Sequence, residues 1–142
     1  MLATKNRTGV MMGLILAMAV LMTAYAPPGP RALIKGKKLL DAGNYDAAAQ
    51  ELETATSLMP TNASAWNYLG LAYHRAGQGS NAAGAYTRAL QLNRELLEAR
   101  FNLGCLWLEE NKLDAAKSEF TAYTLRRSHA PDGWLKLGLA QL

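Results

Sequence analysis

The sequence has little of the chemistry on which disulfides, metal centres and many active sites depend. Its 142 residues include one cysteine, Cys105, and two histidines. A lone cysteine cannot form an internal disulfide, and it cannot supply a zinc site or a haem-attachment motif that needs paired cysteines. We expect Cys105 to be a small buried apolar residue, with an intermolecular disulfide or a lipid attachment as the alternatives.

Catalytic motifs are lacking as well. The sequence contains neither a phosphate-binding loop nor an H-E-x-x-H metal motif. Neither His74 nor His129 lies in a segment that provides the context of a nucleophilic cysteine or serine. Glu109 and Glu110 are adjacent, so on a helix they point to different faces and do not form an acid–base pair. These absences predict a protein that is not an enzyme and that uses no cofactor or metal.

Phenylalanine is scarce too, with two residues against six Tyr and three Trp, and β-branched residues are few. Alanine and leucine dominate instead, a composition that favours helices over strands. The length is sufficient for one domain. The composition therefore predicts an all-α protein.

Positive charge is concentrated at one end of the chain. The net charge is +4, but six of the 15 basic residues precede Leu39, whereas all 11 acidic residues follow it. The chain from Leu39 onward is therefore slightly acidic, which disfavours binding to nucleic acid. We expect no nucleic-acid partner.

Residues 1–28 have the layout of a signal or membrane-anchor segment. A basic start is followed by a hydrophobic run over 10–22 and an Ala-x-Ala pattern at 24–26. Pro27 would directly follow the cleaved bond, which disfavours cleavage. As an uncleaved helix, residues 9–26 would span about 27 Å, close to the roughly 30 Å hydrocarbon core. We interpret the segment as an N-terminal hydrophobic helix that anchors the chain, with a cleaved signal or a buried soluble helix as alternatives.

The basic residues on the two sides of such an anchor give only a weak preference for its orientation. Lys5 and Arg7 precede the hydrophobic run, and four basic residues follow it within 31–38. The Ala-x-Ala pattern favours export. We therefore expect a single-pass anchor with the remaining chain in a periplasm or lumen, and the alternative is a secreted or periplasmic soluble protein.

A period of 34 residues organises the rest of the sequence. In-phase glycines are followed by alanine twelve residues later and by a large apolar residue sixteen later, and the residue before the glycine is leucine except at Lys35. The positions are Gly36, Gly70, Gly104 and Gly138; Ala48, Ala82 and Ala116; Leu52, Tyr86 and Phe120. Nineteen residues after the glycines come Ala55, Ala89 and Tyr123.

The segment "WNYLGLAY" at 66–73 matches the pattern W-x2-L-G-x2-Y, and "AGAYTRAL" and "AKSEFTAY" match the A-x3-F part. From 29 to 142 the chain resembles the tetratricopeptide repeat family. The resemblance implies a right-handed superhelical stack of helix-turn-helix repeats over about 29–62, 63–96 and 97–130, with a final single helix at 131–142.

The predicted helix pairs are about 30–42 with 46–58, 64–76 with 80–92, and 98–110 with 113–126. Their turns contain Gly, Asn and Asp, which tolerate left-handed dihedral angles. We expect the glycine of each first helix, with the alanine twelve residues later, to allow close approach of the two helices. The first repeat is atypical because it has Lys35 where the other repeats have leucine, and we expect it to act as an N-terminal cap of the stack. The final helix is apolar on both sides, which predicts contact with a partner or with further sequence.

The resemblance also implies a groove lined by the first helix of each repeat, and a mixed polar and apolar groove suits an extended peptide or a helix. The implied protein-binding residues are Lys37, Asn67, Leu71, His74, Arg75, Glu98, Phe101, Asn102, Cys105 and Glu109, with Leu33 before them and Leu135 and Leu139 extending the wall.

One activity known in this family has a residue signature. A clamp for chaperone C-terminal carboxylates requires lysine, asparagine, asparagine, lysine and arginine at five groove positions. Glu98 stands at one of them and would repel a carboxylate. The five positions hold Leu33, Lys37, Tyr68, Glu98 and Asn102, so we do not expect this activity.

The sequence therefore predicts a non-catalytic scaffold for protein–protein interaction. In this interpretation the chain is a membrane-tethered subunit or assembly factor of a larger envelope or membrane complex, held at the bilayer through residues 9–26. A secreted soluble adaptor is one alternative. An RNA-binding helical repeat is another, but it would need a basic groove, and Glu98 and Glu109 oppose it.

Overall fold

The computed structural model describes residues 27–142, and this part of the chain is helical throughout, without strands. The all-α prediction is confirmed for this range, whereas the predicted N-terminal hydrophobic helix lies outside it. None of the helices in this range is long and apolar enough to cross a membrane. The helices are α1 (Pro28–Asp41), α2 (Tyr45–Leu58), α3 (Ala63–Arg75), α4 (Gly79–Leu92), α5 (Leu97–Glu109), α6 (Leu113–Arg126) and α7 (Pro131–Leu139).

Each helix pair is closed by a three-residue turn of the same construction. The middle residue of the turn has a positive φ of 77° at Gly43, 76° at Gly77 and 58° at Asn111. The following backbone N–H donates to the carbonyl five residues earlier, for example from Gln78 to Tyr73 at 2.8 Å. This bond is characteristic of a helix that ends in a left-handed residue. The prediction of left-handed Gly and Asn in these turns is confirmed.

The ends of two helices show how local sequence sets their bounds. The side chain of Asn62 accepts a hydrogen bond from the N–H of Ala65 at 3.0 Å and so caps α3. Helix α7 begins at Pro131, but it ends at Leu139 and not at 142 as predicted. A turn follows there, in which the N–H of Gln141 donates to the carbonyl of Gly138 at 3.1 Å.

The seven helices stack in chain order. Every helix packs against its predecessor and its successor, and the first helices α1, α3 and α5 also contact one another in that order. Helices α1 and α7 therefore lie at opposite ends of the stack. The core continues from pair to pair, and its largest fully buried side chains are Leu52, Tyr86 and Phe120.

The periodic glycines make room for those three side chains. A Cβ atom on Gly70 would lie 2.6 Å from a ring carbon of Tyr86, and one on Gly104 would lie 2.9 Å from the ring of Phe120. In the first pair, a Cβ on Gly36 would lie 2.5 Å from Leu52. The nearest contact of each glycine is thus the residue sixteen positions later. The glycines were predicted, together with the alanines twelve positions later, to allow close approach of the two helices, and the side chain that each glycine admits is the one sixteen positions later.

Helix α1, at one end of the stack, has charged residues on its outer side. In α3, the positions that pack on the preceding helix hold Ala65, Leu69 and Ala72, which are at most 3% exposed. One period earlier, α1 has the basic residues Arg31, Lys35 and Lys38 at these positions. All three are exposed. Lys35 forms an ion pair with Glu51 at 2.5 Å. The outer side of α1 is therefore unsuited to packing against a further apolar helix.

Tyr86 combines full burial with an unpaired hydroxyl. Its side chain is 0% exposed, and no group in residues 27–142 forms a hydrogen bond with the hydroxyl oxygen. Burial is the main cause that raises the pKa of Tyr86 well above its usual range. The ring therefore contributes to packing, while the hydroxyl opposes folding.

We expect Tyr86→Phe to raise the free energy of unfolding at neutral pH by about 1 kcal/mol, because it removes the unpaired hydroxyl and keeps the ring. The folded state binds the phenol proton more tightly than the unfolded state, whose pKa is about 10. Stability is therefore retained below that pH and lost as the pH rises, by up to about 1.4 kcal/mol per pH unit for each such group. Tyr86→Phe should show a shallower alkaline loss in urea unfolding.

Tyr73→Phe is the matched control. In the wild type, the hydroxyl of Tyr73 donates a hydrogen bond to the carboxylate of Glu53 at 2.6 Å. Burial, as the larger cause, and this hydrogen bond raise the pKa of Tyr73 to about 12. Removing this hydroxyl should lower stability at neutral pH by about 1 kcal/mol. A loss of stability in Tyr86→Phe of the same size as in Tyr73→Phe would contradict the prediction.

Candidate protein-binding groove

The groove consists of three clefts along the neighbouring helices α1, α3 and α5. Leu71, half-buried on α3, lines all three of them. Phe101 on α5 lines the first and second clefts beside it. Leu71 and Phe101 therefore form an apolar strip that connects the clefts.

The first cleft has amide and aromatic walls. Asn102 donates a hydrogen bond from its side-chain nitrogen to the side-chain oxygen of Asn67 at 3.1 Å, which links α5 to α3. Each amide retains further donor and acceptor capacity for a peptide backbone. The cleft is lined by Asn67, Tyr68, Leu71, Glu98, Phe101, Asn102, Tyr123 and Arg127.

The second cleft contains a contact between a histidine and a glutamate. The imidazole of His74 and the carboxylate of Glu109 lie 2.8 Å apart, joining the last turns of α3 and α5. Arg75 is exposed beside them. The cleft is lined by Leu71, His74, Arg75, Phe101, Asn102, Cys105 and Glu109.

The third cleft lies toward the basic end of the stack. It is lined by Leu40, Asp41, Tyr45, Leu71 and Arg75. Lys37, predicted as a groove residue, lines none of the three clefts. Its ammonium group lies over the ring of Tyr68, 4.6 Å from the centroid, and so covers a wall of the first cleft.

Core packing holds Phe101 in position. Its ring meets the buried ring of Phe120 edge to face at a centroid distance of 5.7 Å, and the ring of Tyr123 at 5.1 Å. Phe101 is thus an extension of the core formed by α5 and α6. Such contacts favour a fixed ring orientation.

Charges of both signs lie along the groove. A guanidinium nitrogen of Arg127 is 3.9 Å from the carboxylate of Glu98 in the first cleft. Both side chains are more than half exposed, so this pair contributes little to stability. The pair does reduce the negative field that Glu98 alone would produce. The groove is therefore mixed in charge rather than basic.

Cys105 shares the second cleft with His74, although 31 residues separate them in the sequence. In the sequence, neither histidine has a cysteine nearby, so this proximity was not predicted. Burial raises the pKa of the Cys105 thiol, with Lys136 acting in the opposite direction. The thiol form is therefore favoured over the nucleophilic thiolate. Within residues 27–142, no cluster of His, Cys, Asp and Glu side chains is arranged to hold a metal ion.

Nine of the ten predicted groove residues line the first two clefts, and Lys37 is the exception. Their role in binding stays a prediction. Leu135 and Leu139, expected to extend the wall, line none of the three clefts. Tyr123 and Arg127 were missed, because Tyr123 belongs to the second helix of a pair and Arg127 directly follows that helix. Tyr123 had a signal in the sequence, since it replaces the alanine found at this position in the earlier repeats.

Comparison with known proteins agrees with this geometry. A family model described as TPR repeat matches residues 36–77, and one described as Tetratricopeptide repeat matches residues 63–96. Residues 36–96 of this chain therefore contain tetratricopeptide repeats. It is similar to the peroxisomal targeting signal receptor of Candida albicans, with 35% identity over 60 residues. The similarity covers 42% of this chain and only 10% of that receptor.

Solved structures show the same arrangement of helices. The crystal structure of MamA matches with a TM-score of 0.78 and 25% identity, over 96% of this chain and 80% of that chain. The first tetratricopeptide repeat domain of Spaghetti (RPAP3), bound to an HSP90 peptide SRMEEVD, matches with a TM-score of 0.77 and 21% identity. That match covers 80% of this chain and 90% of the other. The fold is therefore shared with a peptide-bound domain.

Proposed function

We propose that this chain is a non-catalytic protein-interaction scaffold that binds an extended segment of a partner protein in its groove. The observation that carries the proposal is the strip formed by Leu71 and Phe101, which is bordered by the paired amides of Asn67 and Asn102. An apolar strip with amides beside it suits a peptide whose side chains and backbone are both recognised. The peptide-bound Spaghetti (RPAP3) domain supports the proposal by its fold.

The groove favours a segment of particular chemistry. An apolar side chain of the ligand would rest on Leu71 and Phe101, and its backbone would pair with the free amide capacity of Asn67 and Asn102. Arg75 and Glu109 flank the second cleft with opposite charge. We infer a ligand of low net charge with one large apolar residue at its centre. Glu98 and Glu109 disfavour RNA in the same groove.

The HSP90 peptide seen with the Spaghetti (RPAP3) domain is not the ligand that we propose. Its sequence, SRMEEVD, ends in acidic residues and a carboxylate. Glu98 lies in the first cleft with Tyr68 and Asn102, where carboxylate clamps have lysine, asparagine and arginine. We expect no saturable binding of SRMEEVD, because this cleft offers too little positive charge.

We further propose, from the sequence, that residues 9–26 tether the scaffold to a membrane and that the repeat domain lies in a periplasm or lumen. In this proposal it serves as a subunit or assembly factor of a larger complex. Confinement near the bilayer raises the effective concentration of partners, so a weak groove interaction suffices. N-terminal sequencing of the mature protein tests the tether, since a start after residue 26 would indicate the secreted adaptor instead.

Leu71→Asp is the variant that tests the groove. Peptides are selected from a random phage-displayed library on the full chain, synthesised, and titrated by fluorescence anisotropy. We expect Leu71→Asp to weaken their binding at least tenfold, about 1.4 kcal/mol, because it places a charge in the apolar strip. Leu125→Asp is the matched control, since Leu125 is 76% exposed on α6 and lines none of the three clefts.

The control should bind the selected peptides as the wild type does. Equal weakening by both variants would show that the peptides bind elsewhere or respond to charge alone, and it would overturn the assignment of the groove. The melting temperature of each variant distinguishes lost binding from lost folding. A library that yields no peptide with saturable binding would count against an extended ligand.

A further inference from the structure

Helix α7 presents an uncharged apolar face to solvent. The exposed fraction is 51% for Trp134, 65% for Leu135 and 43% for Leu139. Gly138 lies among them, and Leu142 is exposed just beyond the helix. The charged residues of α7, Asp132 and Lys136, both lie close enough to Cys105 to influence its pKa. We call Trp134, Leu135, Gly138, Leu139 and Leu142 the α7 face.

Gly138 is the fourth glycine of the 34-residue period, and it differs from the other three. Each earlier glycine lies against a large side chain of the following helix, such as Tyr86 against Gly70. A Cβ atom on Gly138 would have no such atom of residues 27–142 within 4 Å. The α7 face therefore has space beside Gly138 for a large side chain, and no residue of 27–142 fills that space.

The opposite end of the stack does not fit this face. There, α1 exposes Lys38, and Lys35 in its ion pair with Glu51. Burying ammonium groups against Trp134 and Leu135 would cost their hydration without supplying acceptors. A head-to-tail stack of copies is thus disfavoured by charge. Two copies of the α7 face bring no charges into conflict.

An antiparallel pair of α7 faces would match a large residue of one copy with a small residue of the other. In an antiparallel helix pair with its two-fold axis level with residue 136, position 134 of each copy lies opposite position 138 of the other. This register brings each bulky Trp134 to the partner copy's glycine, the arrangement that Gly70 and Tyr86 have inside the stack. We propose that two copies of this chain associate through their α7 faces in this antiparallel register.

Such an interface is small. It consists of one helix face per copy, below the area of a standard stable complex, and it is isologous, so that it closes as a dimer and does not propagate. Two buried tryptophans would dominate its energetics. We therefore expect a concentration-dependent dimer in the micromolar range.

Gly138→Gln tests the proposal, and Gly84→Gln is its matched control. Both glycines are exposed, and a Cβ on either meets no atom within 4 Å, so neither change should unfold the monomer. Sedimentation velocity of the full 142-residue chain over a concentration series, in a density-matched detergent, measures the monomer–dimer equilibrium. The dissociation constant should rise at least tenfold in Gly138→Gln and stay unchanged in Gly84→Gln.

Leu135→Gln provides a second variant on the α7 face and should also weaken the dimer, with circular dichroism reporting that both variants remain folded. Lys35→Glu, at the other end of the stack, should leave the equilibrium unchanged. A wild-type chain that is monomeric at every concentration would overturn the proposal. So would a dimer that persists in both α7 variants, which would assign the association to residues 1–26 or to the groove.

Discussion

Gly70→Ala is expected to lower the free energy of unfolding by about 3 kcal/mol, although alanine is the better helix former by about 1 kcal/mol. The new Cβ would lie 2.6 Å from a ring carbon of Tyr86. Tyr86 is fully buried, and the new Cβ would also lie 2.7 Å and 3.0 Å from two other carbons of its ring. The two helices of the pair must therefore separate, and the contacts around them loosen. Urea unfolding followed by circular dichroism measures the effect.

Gly84→Ala separates this steric effect from helix propensity. Gly84 is exposed on α4, and a Cβ there meets no atom within 4 Å, so the same substitution should stabilise by about 0.5–1 kcal/mol. In a Tyr86→Ala background, Gly70→Ala should lose most of its cost, because the ring that it meets is gone. An equal cost of Gly70→Ala with and without the ring would contradict the steric explanation.

Phe120→Ala is the second change with a large expected effect, a loss of about 3–5 kcal/mol. Its ring is fully buried and occupies the space that Gly104 leaves open. The ring also meets Phe101 of the groove at a centroid distance of 5.7 Å. We therefore expect the variant to weaken groove binding as well, through Phe101 and not through direct contact with the ligand. Unfolding and peptide titration on the same samples measure both effects.

Phe120→Leu is the control for size, because Leu52 holds the equivalent position in the first pair. It should cost less than Phe120→Ala and keep most of the binding, since part of the volume remains. If Phe120→Ala, measured at a temperature where it is fully folded, bound the selected peptides with wild-type affinity, Phe101 would not depend on this contact for its orientation.

Much of this fold was predictable because the same residue types recur at the same positions of successive repeats, so each local preference appears several times. Three turns place Gly43, Gly77 and Asn111 at positions that need a left-handed residue, and such preferences act between near neighbours in the chain. Of the seven helices in residues 27–142, six agree with their predicted bounds to within two residues. The seventh ends at Leu139, three residues before its predicted end, where the N–H of Gln141 donates to the carbonyl of Gly138 and closes a turn.

The binding groove was less predictable. The ten residues chosen for the groove all came from first helices, since the family pattern assigns the groove to those helices. Tyr123 of α6 and Arg127, which directly follows α6, also line the groove, and Tyr123 packs against Phe101 of α5, a contact that depends on how the two helices of the pair meet. Lys37 was predicted for the groove but lines none of the three clefts, and its ammonium group lies over the ring of Tyr68, a contact between α1 and α3.

The sequence by itself determined the helical repeat, the turns and the periodic glycines of the first helices, because the 34-residue period and the local backbone preferences follow from residue types and their spacing. Only the tertiary structure decided that His74 meets Glu109, that Cys105 lies in the same cleft, and that the position beside Gly138 is open. These features arise where separate helices approach one another, and the contact between two side chains depends on helix rotation and spacing that no single segment encodes.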